Sequence, residues 1–137
     1  MKSISIVILS LILLAGCVTT PKDPHLQTIA DLGNPVYSLS AAVDVVADKL
    51  PPDAEDTAVI GAATAKDLSL LAPFAEYTLK ARIENKFGVI LVCDKQGKYA
   101  YIEDISCTPQ VDSWRPTGSP CRFFLDVIKL CRPSTGK

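Results

Sequence analysis

The hydrophobic period of this chain changes from about 3.6 residues before position 77 to two residues after it, which restricts the fold to a helical part followed by a sheet. Tyr77, Leu79, Ala81 and Ile83 alternate with Thr78, Lys80, Arg82 and Glu84, the signature of a strand with one covered and one wet face. Residues 89–93 are apolar throughout, as in a strand covered on both sides. Residues 99–105 supply a third strand. Residues 122–130, with Phe123, Phe124, Leu125, Val127 and Ile128, supply a fourth. Turns at residues 85–88 and 94–98 connect the first three strands. A longer loop with Pro109, Trp114, Pro116, Gly118 and Pro120 precedes the last.

Before position 77 the pattern is helical. Leu26, Ile29 and Leu32 share one helix face, and Gly33, Asn34 and Pro35 then punctuate the chain. Leu39, Val43, Val46 and Leu50 make a longer stripe over residues 37–50, which Pro51 and Pro52 end because neither ring nitrogen can donate to the helix ladder. Asp53, Glu55 and Asp56 form a solvated turn or a helix start. Thr64 and Asp67 have capping-box spacing and predict a helix over about 65–72, closed by Pro73. The expectation is an α+β fold, with N-terminal helices packed on a small antiparallel meander of about four strands.

The N-terminus has a separate character. After Lys2, residues 4–14 carry no charge and are apolar on nearly all faces, and Leu14-Ala15-Gly16-Cys17 follows directly. Eleven residues at about 1.5 Å each reach only about 17 Å, against about 30 Å of bilayer hydrocarbon, so the segment is too short to span as it stands. A charged start, an apolar centre and small residues at the end are the layout of a secretory signal.

This segment resembles the precursor of a bacterial lipoprotein, a class cut just before the cysteine of a Leu-Ala-Gly-Cys box and acylated on it. The resemblance implies that residues 1–16 are removed and that Cys17 carries the acyl chains. It further implies that residues 17–24 tether a single periplasmic domain, residues 25–137, to a lipid bilayer. In such proteins of enteric Gram-negative bacteria, an aspartate after the cysteine favours the inner membrane. Val18 stands there, which implies the outer membrane, facing the periplasm. The resemblance covers residues 1–17 and assigns an address, not an activity.

The charge balance excludes one partner class. The 14 basic and 15 acidic residues lose only Lys2 with the leader, leaving a net charge of about −2 and no electrostatic footprint for nucleic acid.

Besides Cys17 there are four cysteines, Cys93, Cys107, Cys121 and Cys131, and an exported chain meets an oxidising compartment. Two disulfides are expected. A zinc site lacks close Cys pairs, and the only histidine, His25, lies far off in sequence. Cys93 and Cys107 fall at opposite ends of the hairpin built from residues 89–105, too far apart to bridge. With residues 122–130 running back along the third strand, the expected pairs are Cys107 with Cys121 and Cys93 with Cys131.

No sequence pattern for a catalytic serine, a zinc protease or a phosphate loop is present. His25, beside Pro24, reads as a tether residue. Glu103 and Asp104 read as a plain strand end, since neighbours on a strand point to opposite faces. Asp112 reads as a solvated loop residue with a weak claim to a cation. Trp114 and Arg115, of types enriched at interface hot spots, make the loop around Asp112 a candidate interaction surface. The alternative is that Trp114 folds back to plug the sheet edge. No cofactor, metal or catalytic residue is expected. The expected role is a non-enzymatic interaction or assembly module with a protein partner in the envelope. Alternatives are an accessory lipoprotein of a secretion or surface-assembly machine, an inhibitor of a periplasmic hydrolase, or a small hydrolase.

Overall fold

The structure, a computed structural model, describes residues 23–108 and 113–131. Cys17, the leader and Asp112 lie outside the described residues. The fold is α+β. Helix α1 (Pro24–Ala47) and helix α2 (Asp56–Thr64) come first, followed by a 3₁₀ segment (Leu68–Phe74). Strands β1 (Thr78–Glu84), β2 (Phe87–Cys93), β3 (Ala100–Ile105) and β4 (Ser113–Trp114) then form one sheet in the order β1-β2-β3-β4, all antiparallel. A short helix α3 (Val127–Leu130) closes the described chain.

The two expected helices at residues 25–32 and 37–50 are one. Gly33, Asn34 and Pro35 lie inside α1, and the reason is the stripe they interrupt only locally. Ile29, Leu32, Val36, Leu39 and Val43 follow at steps of three, four, three and four and are all buried. Pro35 removes one donor from the ladder, but the acceptor it deprives, the Asp31 carbonyl, belongs to an exposed residue. The buried face outweighs that loss. Asp23 caps the helix by accepting from His25 N at 2.9 Å, and Pro24 occupies the first turn, where its missing N–H costs nothing.

The helix expected at 65–72 is also displaced. Residues 56–64 form α2 instead, and Thr64 bonds back to the Ile60 carbonyl rather than opening a helix. Asp67 is itself the cap of the 3₁₀ segment, accepting from Ser69 N at 3.0 Å. Asp56 leaves the acidic turn to accept from Ala81 N at 3.2 Å, which ties the start of α2 to the outer edge of β1.

Strands β1 to β3 fall where the alternation placed them. Asn85 and Lys86 have φ of 51° and 71° and make a two-residue hairpin, with β2 beginning at Phe87. In the next turn Gly97 has φ 68°, and the Asp94 carboxylate accepts from Lys98 N and Tyr99 N. From β2, Ile90 and Val92 join Leu39, Val43, Val59 and Phe74 beneath the helices. Its other face, Val89, Leu91 and Cys93, is buried under Phe123, Leu125 and the cystines. The sheet therefore has covers on both faces: helices on one and the C-terminal segment on the other. Even the polar face of β1 is engaged by that segment, with Lys80 Nζ donating to the Cys121 carbonyl and Arg82 Nη2 to that of Leu125.

The fourth strand is not residues 122–130. The antiparallel return along β3 is made by residues 113–120, with Ile102 opposite Trp114, Glu103 opposite Ser113, and an isolated bridge between Tyr99 and Pro120. That correction changes the disulfides. The return carries Cys121 to the 94–98 turn, where its N–H donates to the Lys98 carbonyl at 3.0 Å, and there it meets Cys93 with Cα atoms 5.7 Å apart. The chain then crosses the sheet face, ends in α3 and brings Cys131 to Cys107, Cα atoms 5.8 Å apart. The pairs are Cys93–Cys121 and Cys107–Cys131, not the expected Cys107–Cys121 and Cys93–Cys131. Every buried apolar side chain described lies between Ile29 and Val127, so the segment from Asp23 onward holds its own core.

Candidate functional site

Glu103 and Asp104 are not a plain strand end. Both are fully buried, and the strand pleat sends them to opposite covers. Asp104 points to the helices and accepts a hydrogen bond from the Ser40 hydroxyl of α1. Glu103 points to the C-terminal segment, where it accepts from Phe124 N at 2.9 Å, Leu125 N at 3.0 Å and the Arg115 guanidinium. A carboxylate with three donors is well satisfied in an apolar surrounding, and it joins three stretches of chain: β3, the return after β4 and the crossing segment. With neither carboxylate reachable from solvent, neither is placed to exchange a proton with a substrate.

Arg115 is held through its backbone and the end of its side chain, while its buried Nε has no hydrogen-bond partner among the described residues. Its side chain is 11% exposed and pairs with Glu103, while its guanidinium carbon sits 4.5 Å from the centre of the Phe124 ring. Burial pulls the Arg115 guanidinium below its ordinary value. Its N–H donates to the Tyr101 carbonyl at 2.8 Å, and its own carbonyl accepts from His25 Nε2 at 2.6 Å. The second contact corrects the expectation for His25. That residue is docked rather than part of a tether, its ring 5.0 Å from Tyr101, which in turn meets Tyr77 edge-on at 5.7 Å. Burial raises the Tyr101 hydroxyl pKa, with Tyr77 and Asp94 adding to the effect.

Trp114, one residue before this anchor, does not fold back over the sheet edge. It sits on the edge strand opposite Ile102 and is 62% exposed. The proposed surface of Asp112, Trp114 and Arg115 is thus divided: Trp114 is presented, Arg115 is spent on Glu103, and Asp112 lies outside the described residues. Phe124 is half exposed beneath the Arg115 and Arg122 guanidinium groups, each 4.5 Å from its ring centre.

Sequence reasoning missed Glu103 as a structural centre. The signal was available in Ile102 and Ile105, which flank the two carboxylates and fall on opposite faces of the strand, so that each carboxylate shares its face with an apolar neighbour. No group of three His, Cys, Asp or Glu residues that could hold a metal is gathered among the described residues. Nor, among the described residues, is any helix long and apolar enough to cross a membrane. No family model, curated protein or solved structure matches the chain.

Proposed function

We propose that this chain is a lipid-anchored envelope protein that acts without catalysis, holding Trp114 out as a docking point for a protein partner at the outer membrane. The observation that carries the docking reading is the contrast between neighbours. Trp114 is exposed, while the residue beside it is fixed through its N–H, its carbonyl and its side chain. A large aromatic side chain on an immobile backbone loses little freedom on binding, which is the economy of a hot spot. The Leu14-Ala15-Gly16-Cys17 box supports the anchor, and two disulfides accord with life outside the cytoplasm. Several acyl chains at about 0.8 kcal/mol per buried methylene hold a protein at a bilayer without a spanning helix.

The test places a photo-reactive phenylalanine analogue at position 114 in intact cells and identifies what it captures. A single dominant envelope protein, lost in competition with untagged protein but not with its Trp114→Ala variant, supports the reading. Capture of nothing, or an unchanged capture against both competitors, refutes it. For the anchor, Cys17→Ser is expected to abolish acylation and release the protein from membranes while its melting temperature is kept. A variant that stays membrane-bound with an uncut leader refutes the lipoprotein assignment.

A further inference from the structure

The helical cover carries a concave surface away from Trp114, and two of the residues that line it, Leu50 and Ala63, also pack against the core. Between the C-terminal half of α1 and the end of α2 lies a groove of about 400 Å³, walled by Val45, Val46 and Leu50 on one side and Ala62 and Ala63 on the other. The volume falls at the low end of the range for small-ligand sites, about 300–1,000 Å³. Only two residues that line it carry polar side chains, Lys49 and Lys66. Both are exposed, and neither forms an ion pair with another described residue. Val45 is 74% exposed on this wall, although it belongs to the longest helix of the fold. An apolar trough without a hydrogen-bonding wall, flanked by two uncommitted ammonium groups, is complementary to a ligand with an apolar tail and an anionic head.

We infer that this groove binds one monomeric fatty-acid-type ligand, its single chain lying along Val45, Val46, Leu50 and Ala62 and its carboxylate between Lys49 and Lys66. The modest volume suits one chain rather than the two of a bilayer phospholipid. The inference does not rest on Trp114 or on acylation of Cys17, because the groove lies on the helical cover and involves neither residue.

The test uses residues 17–137 with Cys17→Ser, which retain the whole core, and laurate below its micelle concentration as the probe, followed by calorimetry and backbone amide shifts. One laurate per chain is expected, with shifts confined to residues 42–50 and 62–66. Dodecanol, which keeps the tail and lacks the charge, is expected to bind about fivefold more weakly. The pair Lys49→Gln and Lys66→Gln is expected to lose a similar factor for laurate and nothing for dodecanol, in keeping with two exposed charge contacts. Ala62→Phe fills the trough and is expected to abolish both while the melting temperature is kept. The lysine variants, being on the surface, keep the test decisive where Ala62→Phe alters folding. Absence of saturable binding, shifts centred elsewhere, or equal binding of laurate by the lysine variants overturns the inference. So does an acidic amphipathic peptide that excludes laurate at lower concentration, or a dimer that buries this groove in sedimentation.

Discussion

Gly88 lies so close under Val43 that a Cβ on the glycine would stand 2.6 Å from Val43 Cγ1 and 3.0 Å from the Ser40 carbonyl. Helix α1 therefore rests on the backbone of β2 at this point, and the contact sets the depth at which its stripe meets the sheet. Gly88→Ala is expected to lower unfolding free energy by about 2 kcal/mol, as overpacking does in a close-packed interior. Val43→Ala alone leaves a cavity and costs a similar amount, whereas the double variant is expected to cost clearly less than the sum. Urea unfolding of the three variants checks the coupling.

Glu103 and Arg115 are unequal partners. Removing Arg115 leaves Glu103 with two backbone donors, but removing Glu103 strands a buried guanidinium and two N–H groups. Glu103→Leu is thus expected to cost about 3–5 kcal/mol. Arg115→Leu is expected to cost at least 1 kcal/mol less. Chemical denaturation of both variants gives the order, and a reversed order would show that the backbone donors contribute little.

The disulfides overlap in sequence, since Cys107 lies within the stretch closed by Cys93 and Cys121, and Cys121 within that closed by Cys107 and Cys131. Opening either one by replacing both of its cysteines with alanine is expected to cost about 3.5 kcal/mol in the chain-entropy model. Non-reducing peptide mapping of the native protein should find Cys93 joined to Cys121 and Cys107 to Cys131.

At the surface, Lys95 donates to Glu76 at 2.7 Å and, by this bond and its charge, holds the carboxyl below the ordinary glutamate range. A depressed carboxyl stabilises the fold above its unfolded value, and the contribution disappears as pH falls through the folded one. Lys95→Met is expected to raise the Glu76 titration midpoint towards the ordinary value, and to flatten the small fall in melting temperature between neutral and acidic pH. Carboxyl carbon shifts of Glu76 read the midpoint directly.

The first three strands were legible because each reports its own surroundings. The unbroken apolar run at 89–93 corresponds to a strand buried on both faces, whereas the alternation at 77–84 located β1 but not the cover on its polar face, where Lys80 and Arg82 are half-buried against the C-terminal segment. What failed was local punctuation judged without its tertiary context. Gly33, Asn34 and Pro35 look like a stop, yet Val36 continues the register of Ile29 and Leu32, and burial of that face decides the matter. The cystine pairing failed for a related reason. Residues 122–130 have the richer apolar composition, but the poorer segment around Trp114 took the place beside β3, leaving Phe123, Leu125 and Val127 to cover the sheet instead. Trp114 stands exposed on the edge strand, whereas Arg115 belongs to the interior with Glu103.

The bond from His25 Nε2 to the Arg115 carbonyl also fixes where the chain enters the domain: beside Trp114, at the start of α1. Eight residue steps lead from Cys17 to His25, a fully drawn length of at most about 29 Å. In a protein acylated at Cys17, the indole therefore travels on a short leash, and a partner must come down almost to the headgroups to meet it. Under the proposed anchoring, partners with tall ectodomains would be sampled only at their base, and the span from residue 17 to residue 25 would act as a ruler for which proteins Trp114 could touch.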